Sequence, residues 1–210
     1  LGRLVEMRFF GGRTLEEMRG SVKPEAILKW AHSPIAMLGG LWEDLRKEWE
    51  HDLSKGGRSP VTILVCKNTK IAKVVHEWLA EGKAPPGIPP ARIEGFRNTA
   101  GQLNTIRVDY KIVHETDTGE AKNDESAWMR ATLDTVGRRD WPQDRQGRPL
   151  YPQGFEELAK KLGRSLHPPG RDVRCIVSVG MLTEGWDCNT VTHVIGLRPF
   201  MSQLLCEQVV

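Results

Sequence analysis

The chain's 210 residues lack three features that would quickly assign it to a class of protein. No apolar run approaches the roughly 18 residues of a membrane-spanning helix, and no secretory signal is recognisable, so we expect no membrane association. The four cysteines stand singly, without the CxxC spacing of zinc sites, which predicts reduced thiols in a cytoplasmic protein. The six histidines are scattered and none has a metal-ligand partner at helical spacing, so we expect no metal site.

The sequence also lacks the phosphate-binding pattern GxxxxGK[ST]. The nearest imitation, GGRT at 11–14, has neither the spacing nor the lysine. The formal charge of +3 is too small to indicate nucleic-acid binding by itself, because the informative quantity is where the charge lies. With 39% hydrophobic and 27% charged residues, the composition is that of an ordinary globular protein. Its length favours one sizeable α/β domain with an appendage over two small domains.

Two β-branched apolar runs near the end of the chain, 173–179 and 191–197, predict buried strands of a parallel sheet, because each is too short for a typical helix. The loop TEGWD, at 183–187, lies between them. In an open parallel sheet the carboxyl end of a strand delivers its loop to the crevice where ligands bind. Gly185 would let the backbone approach a ligand closely, and Asp187 would accept a hydrogen bond from a hydroxyl group.

The loop has an alternative interpretation as an ordinary glycine-containing turn. Trp186 would then lie in the core, and Asp187 would cap the next segment. A second motif at a suitable distance, LLCEQ at 204–208, favours the functional interpretation.

The run MLTEGWD at 181–187, followed by LLCEQ, closely resembles the fifth motif and the start of the sixth motif of superfamily-two helicases and translocases. Within that group it looks most like the restriction subunit of type III restriction endonucleases. The resemblance is specific over 173–210 and looser from about residue 60 onward, and no motif before residue 60 supports it. It implies a motor of two RecA-like domains that hydrolyses ATP in the cleft between them while tracking along duplex DNA, with this chain as the second domain.

The resemblance also implies a domain organisation and a set of partners. Residues 1–56 would form a helical extension or linker from a preceding domain, and 57–210 a helicase C-terminal domain that is truncated at its C-terminal end. ATP and Mg²⁺ would be the cofactors, shared with an absent first motor domain of the same protein. Double-stranded DNA would be the substrate, and a DNA-methylating modification subunit stays an open question. No catalytic residue is assigned, and the fragment alone is expected to be inactive.

Specific residues acquire roles through the same resemblance. Gly185 and Asp187 would face the nucleotide, with Asp187 near the ribose, and Gln208 would lie beside the phosphates. The candidates for contacts with a nucleic-acid backbone here are Ser178, Gly180 and Thr183.

The segment 61–66 predicts another strand, after which Asn68 or Thr69 can cap a helix. A helix N-terminus that follows a strand is a ready anion site, so these two residues are further candidates for binding a DNA phosphate. In the resembling family the fourth motif occupies this place. The alternative is that this strand, cap and helix are purely structural, as in most α/β proteins.

A loop at 137–152 carries arginines among aromatic residues, a mixture that can grip a nucleic-acid backbone and stack on bases. The arginines are Arg138, Arg139, Arg145 and Arg148, and the aromatic residues are Trp141 and Tyr151. The alternative is a solvated loop whose arginine stems lie along the surface.

Further elements complete the predicted RecA-like parallel sheet with flanking helices and an N-terminal helical extension. A helix is expected from Pro34 to the Lys55-Gly56-Gly57 stop, a strand at 105–109, and helices that start at Asp124 and at 155, the latter ending at Gly163. Three other functions remain open: an RNA helicase domain, a non-enzymatic nucleic-acid-binding module, and a nuclease. The nuclease would use Asp109, Glu120 and Lys122.

Overall fold

The computed structural model describes residues 23–108, 124–179 and 188–197. The elements in chain order are α1 (Leu28–His51), β1 (Val61–Cys66), α2 (Thr69–Ala80), β2 (Thr105–Val108), α3 (Asp124–Asp134), α4 (Phe155–Leu162), β3 (Cys175–Val179) and β4 (Val191–Leu197). Single 3-10 turns lie at Pro24–Ile27, Leu53–Lys55 and Glu94–Phe96. None of the helices in these ranges combines the length and apolar character needed to cross a lipid bilayer.

The strands form one four-stranded sheet in the order β2-β3-β1-β4, and every neighbouring pair is parallel. The central strand β1 is buried at all six residues, as expected of a strand that is covered on both faces. Ile63 of β1 pairs with Ile176 of β3 on one side and with Val194 of β4 on the other. The fold is therefore α/β, with a parallel sheet between helices.

Helices α1 and α2 cover one face of the sheet. From α1, Leu28, Ile35 and Trp42 are at most 1% exposed and belong to the same core cluster as Leu64 of β1 and Val177 of β3. Burial of each such apolar side chain stabilises the fold by about 1.5 to 3 kcal/mol relative to exposure. Helix α1 therefore packs on the sheet through this apolar face.

Helix α3 covers the opposite face. Met129 and Leu133 from this helix, with Val136 just after it, pack against a cluster that includes Ile106 and Ile176 of the sheet. Helix α4 lies beside α3 and adds a small aromatic cluster around Phe155. The sheet is therefore covered by α1 and α2 on one face and by α3 on the other, and α4 packs against α3.

The start of α1 differs from the sequence prediction. The helix begins at Leu28 and contains Pro34 in its interior, whereas the sequence predicted a start at Pro34. The buried residues Leu28 and Ala31 extend the apolar stripe by two turns, so packing outweighs the one backbone hydrogen bond that proline cannot donate. Pro34 itself is exposed, which keeps its ring away from the core.

Most of the other predicted elements are confirmed. Strands β1 and β4 have the predicted bounds, β3 begins at Cys175 rather than 173, and β2 ends at Val108. Helix α4 ends, as predicted, at Gly163, whose φ of 62° is the left-handed conformation that favours glycine. How the chain divides into an extension and a domain remains a prediction.

Candidate nucleic-acid interface

Because all four strands are parallel, their carboxyl ends lie along the same edge of the sheet. At this carboxyl edge β1 ends at Cys66 and β3 ends at Val179, and these two residues are paired in the register of the sheet. The last residues of β1 and β3 therefore lie side by side at this edge. Ligands of open parallel sheets bind at such an edge.

The segment after β1 presents an exposed helix N-terminus. Asn68 is the cap of α2: its side-chain Oδ1 accepts a hydrogen bond from the backbone N–H of Ile71 at 2.9 Å. The backbone N–H groups of Thr69 and Lys70 have no acceptor in the described ranges. Since these donors lie at the positive end of the helix dipole, the predicted anion site at Asn68 and Thr69 is geometrically available.

Ser178 lies at the same edge but is 2% exposed. In the register of the sheet it is flanked by Val65 of β1 and Val108 of β2. Its hydroxyl therefore offers almost no surface to a nucleic-acid backbone.

Several predicted residues lie outside the described ranges. They are the nucleotide candidates Gly185, Asp187 and Gln208, the backbone candidates Gly180 and Thr183, and the nuclease candidates Asp109, Glu120 and Lys122. Their assignments remain predictions.

The structure separates Arg138 and Arg139 from Asn68. Helix α3 runs back across the sheet, so these arginines lie in the turn beyond its end, close to the residues that precede β1 and β3. This amino edge is one strand length from the carboxyl edge, roughly 16 to 20 Å for six residues. One short stretch of nucleic-acid backbone would not contact both groups.

Arg145 and Arg148 lie in an exposed turn that is built around Asp144. The Asp144 carboxylate accepts hydrogen bonds from the backbone N–H groups of Gln146 and Arg148 and from Nε of Arg148 at 2.9 Å. The backbone N–H of Arg148 is the main cause of a lowered pKa at Asp144. The charge of Arg148 is thus neutralised by Asp144 in the same turn, whereas Arg145 has no ion-pair partner in the described part of the chain.

The interpretation of Trp141 as a stacking platform for bases is wrong. Its side chain is 8% exposed, its ring packs edge-on against Phe155 at 4.9 Å, and its Nε1 donates to the carbonyl of Leu166 at 2.6 Å. Tyr151 flanks the same cluster. The indole holds the loop on α4 and offers no free face.

Sequence reasoning missed three arginines that join Arg138 and Arg139 at the amino edge. Arg58 precedes β1, and Arg171 and Arg174 precede β3, and the five line a cavity of about 370 Å³. A signal was present, because a basic residue lies just before each of two strands whose amino ends a parallel sheet brings together.

Nucleophilic and metal chemistry find no support in the described residues. Burial raises the pKa of the Cys66 thiol to about 12 and also raises the pKa of Cys175, which keeps both in the unreactive thiol form. The described ranges contain no cluster of side chains suited to hold a metal ion. Binding of anions is the chemistry that the exposed groups favour.

Comparison of the chain with protein-family models, with curated proteins and with solved structures gave no match in any of the three.

Proposed function

We propose that this chain is the second, RecA-like motor domain of an ATP-dependent DNA translocase of the type III restriction endonuclease kind. The carboxyl edge of its sheet would carry the nucleotide and DNA contacts. ATP and Mg²⁺ would be bound jointly with a first motor domain, since the sequence has no phosphate-binding loop of its own.

One observation carries the proposal: the parallel sheet places the end of β3 directly beside the end of β1. The motif-bearing segment follows Val179 in the sequence, and the exposed, capped N-terminus of α2 follows Cys66 at the same edge. A motor domain needs its nucleotide and DNA contacts to be neighbours, so that closure of the ATP cleft moves the DNA contacts.

The nucleotide half of the proposal is tested at Asp187 in the full-length protein. Asp187→Ala should lower DNA-stimulated ATP hydrolysis by about one to two orders of magnitude, the worth of roughly 1.5 to 3 kcal/mol for a hydrogen bond to a charged group. Steady-state phosphate release measures this loss, and Asp44→Ala, which removes an exposed carboxylate of α1 outside the motif, is the control. Normal hydrolysis by the Asp187 variant would favour the alternative in which 183–187 is an ordinary glycine-containing turn.

The DNA half is tested at the N-terminus of α2. Thr69→Glu adds a negative charge where a phosphate would bind, yet acidic residues stabilise the first turn of a helix by about 0.3 to 1 kcal/mol, so folding is not harmed. We expect weaker binding to duplex DNA of any sequence and a salt slope smaller by about one. Fluorescence anisotropy over a salt series measures both quantities.

Gln153→Glu, an exposed change of equal charge in the loop before α4, is the matched control. Equal DNA affinity of the Thr69 variant, the control and the unmodified chain would remove α2 from the interface. Stronger binding to RNA than to DNA by the unmodified chain would favour the RNA helicase alternative.

A further inference from the structure

Five arginines converge on the cavity at the amino edge of the sheet, which we call the arginine cleft. They come from three separate turns: Arg58 before β1, Arg138 and Arg139 after α3, and Arg171 and Arg174 before β3. Asp172 is the only carboxylate among the described residues that line it.

The hydrogen bonds of these guanidinium groups leave most of their charge uncompensated. Nε of Arg58 donates to the carbonyl of Lys55 at 2.8 Å, and its Nη1 donates to the amide oxygen of Asn189 at 3.2 Å, both neutral acceptors. Arg171 reaches Asp172 only at 3.4 Å. Within the described ranges, Arg138 and Arg139 make no ion pair.

Arg174 contributes a buried donor atom that lacks a hydrogen-bond partner in the described residues. The residue is partly buried, and the unpaired atom is its Nε, which is shielded from solvent. Burial lowers the pKa of Arg174, and the nearby charge of Arg46 lowers it further. The carboxylates of Glu43 and Glu50 also lie near, but both already pair with Arg46.

Arg139 is fitted into the cleft by a glycine. Its guanidinium lies against Gly57, where a Cβ atom would collide with it. Gly57 has a φ of 70°, in the left-handed region. Glycine is therefore favoured in the turn before β1 both by its backbone conformation and by its lack of a Cβ atom. The two turns are thereby shaped to bring their arginines together.

Guanidinium groups that line one cavity carry like charges, which repel one another, and an unpaired buried donor adds a further cost. An anion that accepts several hydrogen bonds at once would remove both penalties. Guanidinium groups match phosphate oxygens in bidentate geometry, and the cavity has the size of a small-ligand pocket, which admits a phosphate ester as well as phosphate.

We propose that the arginine cleft binds a phosphate group, the chemistry shared by a nucleic-acid backbone and by small phosphate compounds. The site lies at the edge opposite to Asn68 and is independent of the motor assignment. An anion there would tie the three turns together, and the bound state should be the more stable one.

The test compares the 210-residue chain with Arg139→Gln/Arg171→Gln, two exposed positions at which folding is not expected to suffer. Arg92→Gln/Arg97→Gln, two exposed arginines outside the cleft, is the matched control. Calorimetric titration with pyrophosphate and thermal unfolding with and without it, at constant ionic strength, are the measurements. We expect saturable stabilisation of the unmodified chain and the control, and at least about tenfold weaker binding by the cleft variant.

If the cleft binds phosphate, the cleft variant without pyrophosphate should melt at the same temperature as the unmodified chain or higher, because repulsion is relieved. If the arginines have a merely structural role, the variant should melt at a lower temperature. A lower melting temperature together with unchanged pyrophosphate affinity would overturn the proposal. So would the absence of pyrophosphate binding by the unmodified chain.

Titration with a short DNA duplex separates the two sources of phosphate. If the cleft variant loses DNA affinity together with pyrophosphate affinity, the backbone of a nucleic acid is the natural ligand. If it loses pyrophosphate alone, the ligand is a small phosphate compound. ATP hydrolysis and the Thr69→Glu effect report on the carboxyl edge, so failure of the cleft proposal is distinguishable from failure of the motor proposal.

Discussion

Three buried tryptophans each tie a loop to the core through the indole N–H. Trp42 donates to the carbonyl of Pro60 at 2.8 Å, Trp78 to that of Pro89 at 2.8 Å, and Trp141 to that of Leu166 at 2.6 Å. Each bond satisfies a donor that burial would otherwise leave unpaired. The Trp42 bond fixes the entry to β1, immediately after the turn that carries Arg58.

Replacement of Trp42 by phenylalanine should therefore lower the free energy of unfolding by more than the lost side-chain volume alone would. Trp42 is fully buried and its ring lies 4.6 Å from that of Phe96. Trp42→Phe leaves a cavity and an unpaired carbonyl at Pro60, and we expect a loss of about 2 to 3 kcal/mol in the free energy of unfolding. Urea denaturation measures this loss.

Trp49→Phe is the matched control, because Trp49 is only partly buried and its described contact is with the Lys55 ammonium, 4.8 Å from the ring centre. That change should cost less than about 1 kcal/mol. Equal losses for the two variants would mean that the bond to Pro60 contributes nothing.

Helix α1 shows at the scale of one element how packing and propensity compete. Its two adjacent glycines face different surroundings: Gly39 is buried against Ile93, whereas Gly40 has open space where a Cβ atom would lie. Alanine is favoured over glycine inside a helix by about 0.5 to 1 kcal/mol. Only Gly40 can gain from this preference.

We therefore expect Gly40→Ala to stabilise the protein by about 0.5 to 1 kcal/mol, and Gly39→Ala to destabilise it by about 1 to 3 kcal/mol through collision with Ile93. Thermal and urea unfolding of the two variants measure these changes, each serving as the control for the other. Stabilisation by Gly39→Ala would show that α1 is held loosely on the sheet.

The whole molecule should lose stability as pH falls, and His76 contributes to this loss first. Burial lowers the pKa of His76 below its ordinary value of 6.5, although Thr105 and Glu81 oppose the shift. The folded state therefore prefers the neutral imidazole. The stabilisation is complete above pH 6.5 and is lost as pH falls from 6.5 towards the lower folded-state pKa.

At lower pH the loss of stability comes from a carboxylate, that of Glu43. A hydrogen bond from Arg46 lowers the pKa of Glu43 below 4.5, so its contribution is present above pH 4.5 and is lost as pH falls further. We expect His76→Gln to flatten the stability profile in the interval just below pH 6.5 and to leave the more acidic limb in place.

Melting temperatures over a pH series check this prediction, with the exposed His167→Gln as the control. A profile for His76→Gln that keeps the slope of the unmodified chain in that interval would assign the pH dependence to other groups.

Local patterns in the sequence determined most of the elements. The apolar runs predicted the bounds of β1 and β4, Asn68 predicted the start of α2, and Gly163 predicted the end of α4. These signals are strong because alternation, capping and left-handed glycine act within one turn or one strand. The start of α1 was missed because packing of Leu28 on the sheet outweighed the signal of Pro34.

The sequence also suggested which residue types bind anions, and only the tertiary structure decided which of them meet. Arg138 and Arg139 are far in sequence from Arg58, yet they share a cleft, whereas Asn68, only ten residues from Arg58, lies at the opposite edge. The strand order β2-β3-β1-β4 follows from burial of both sheet faces at once, a property of the assembled layers that no single segment contains. For the same reason Trp141, which resembled a stacking surface in the sequence, became part of the core, since α4 offered it a buried partner.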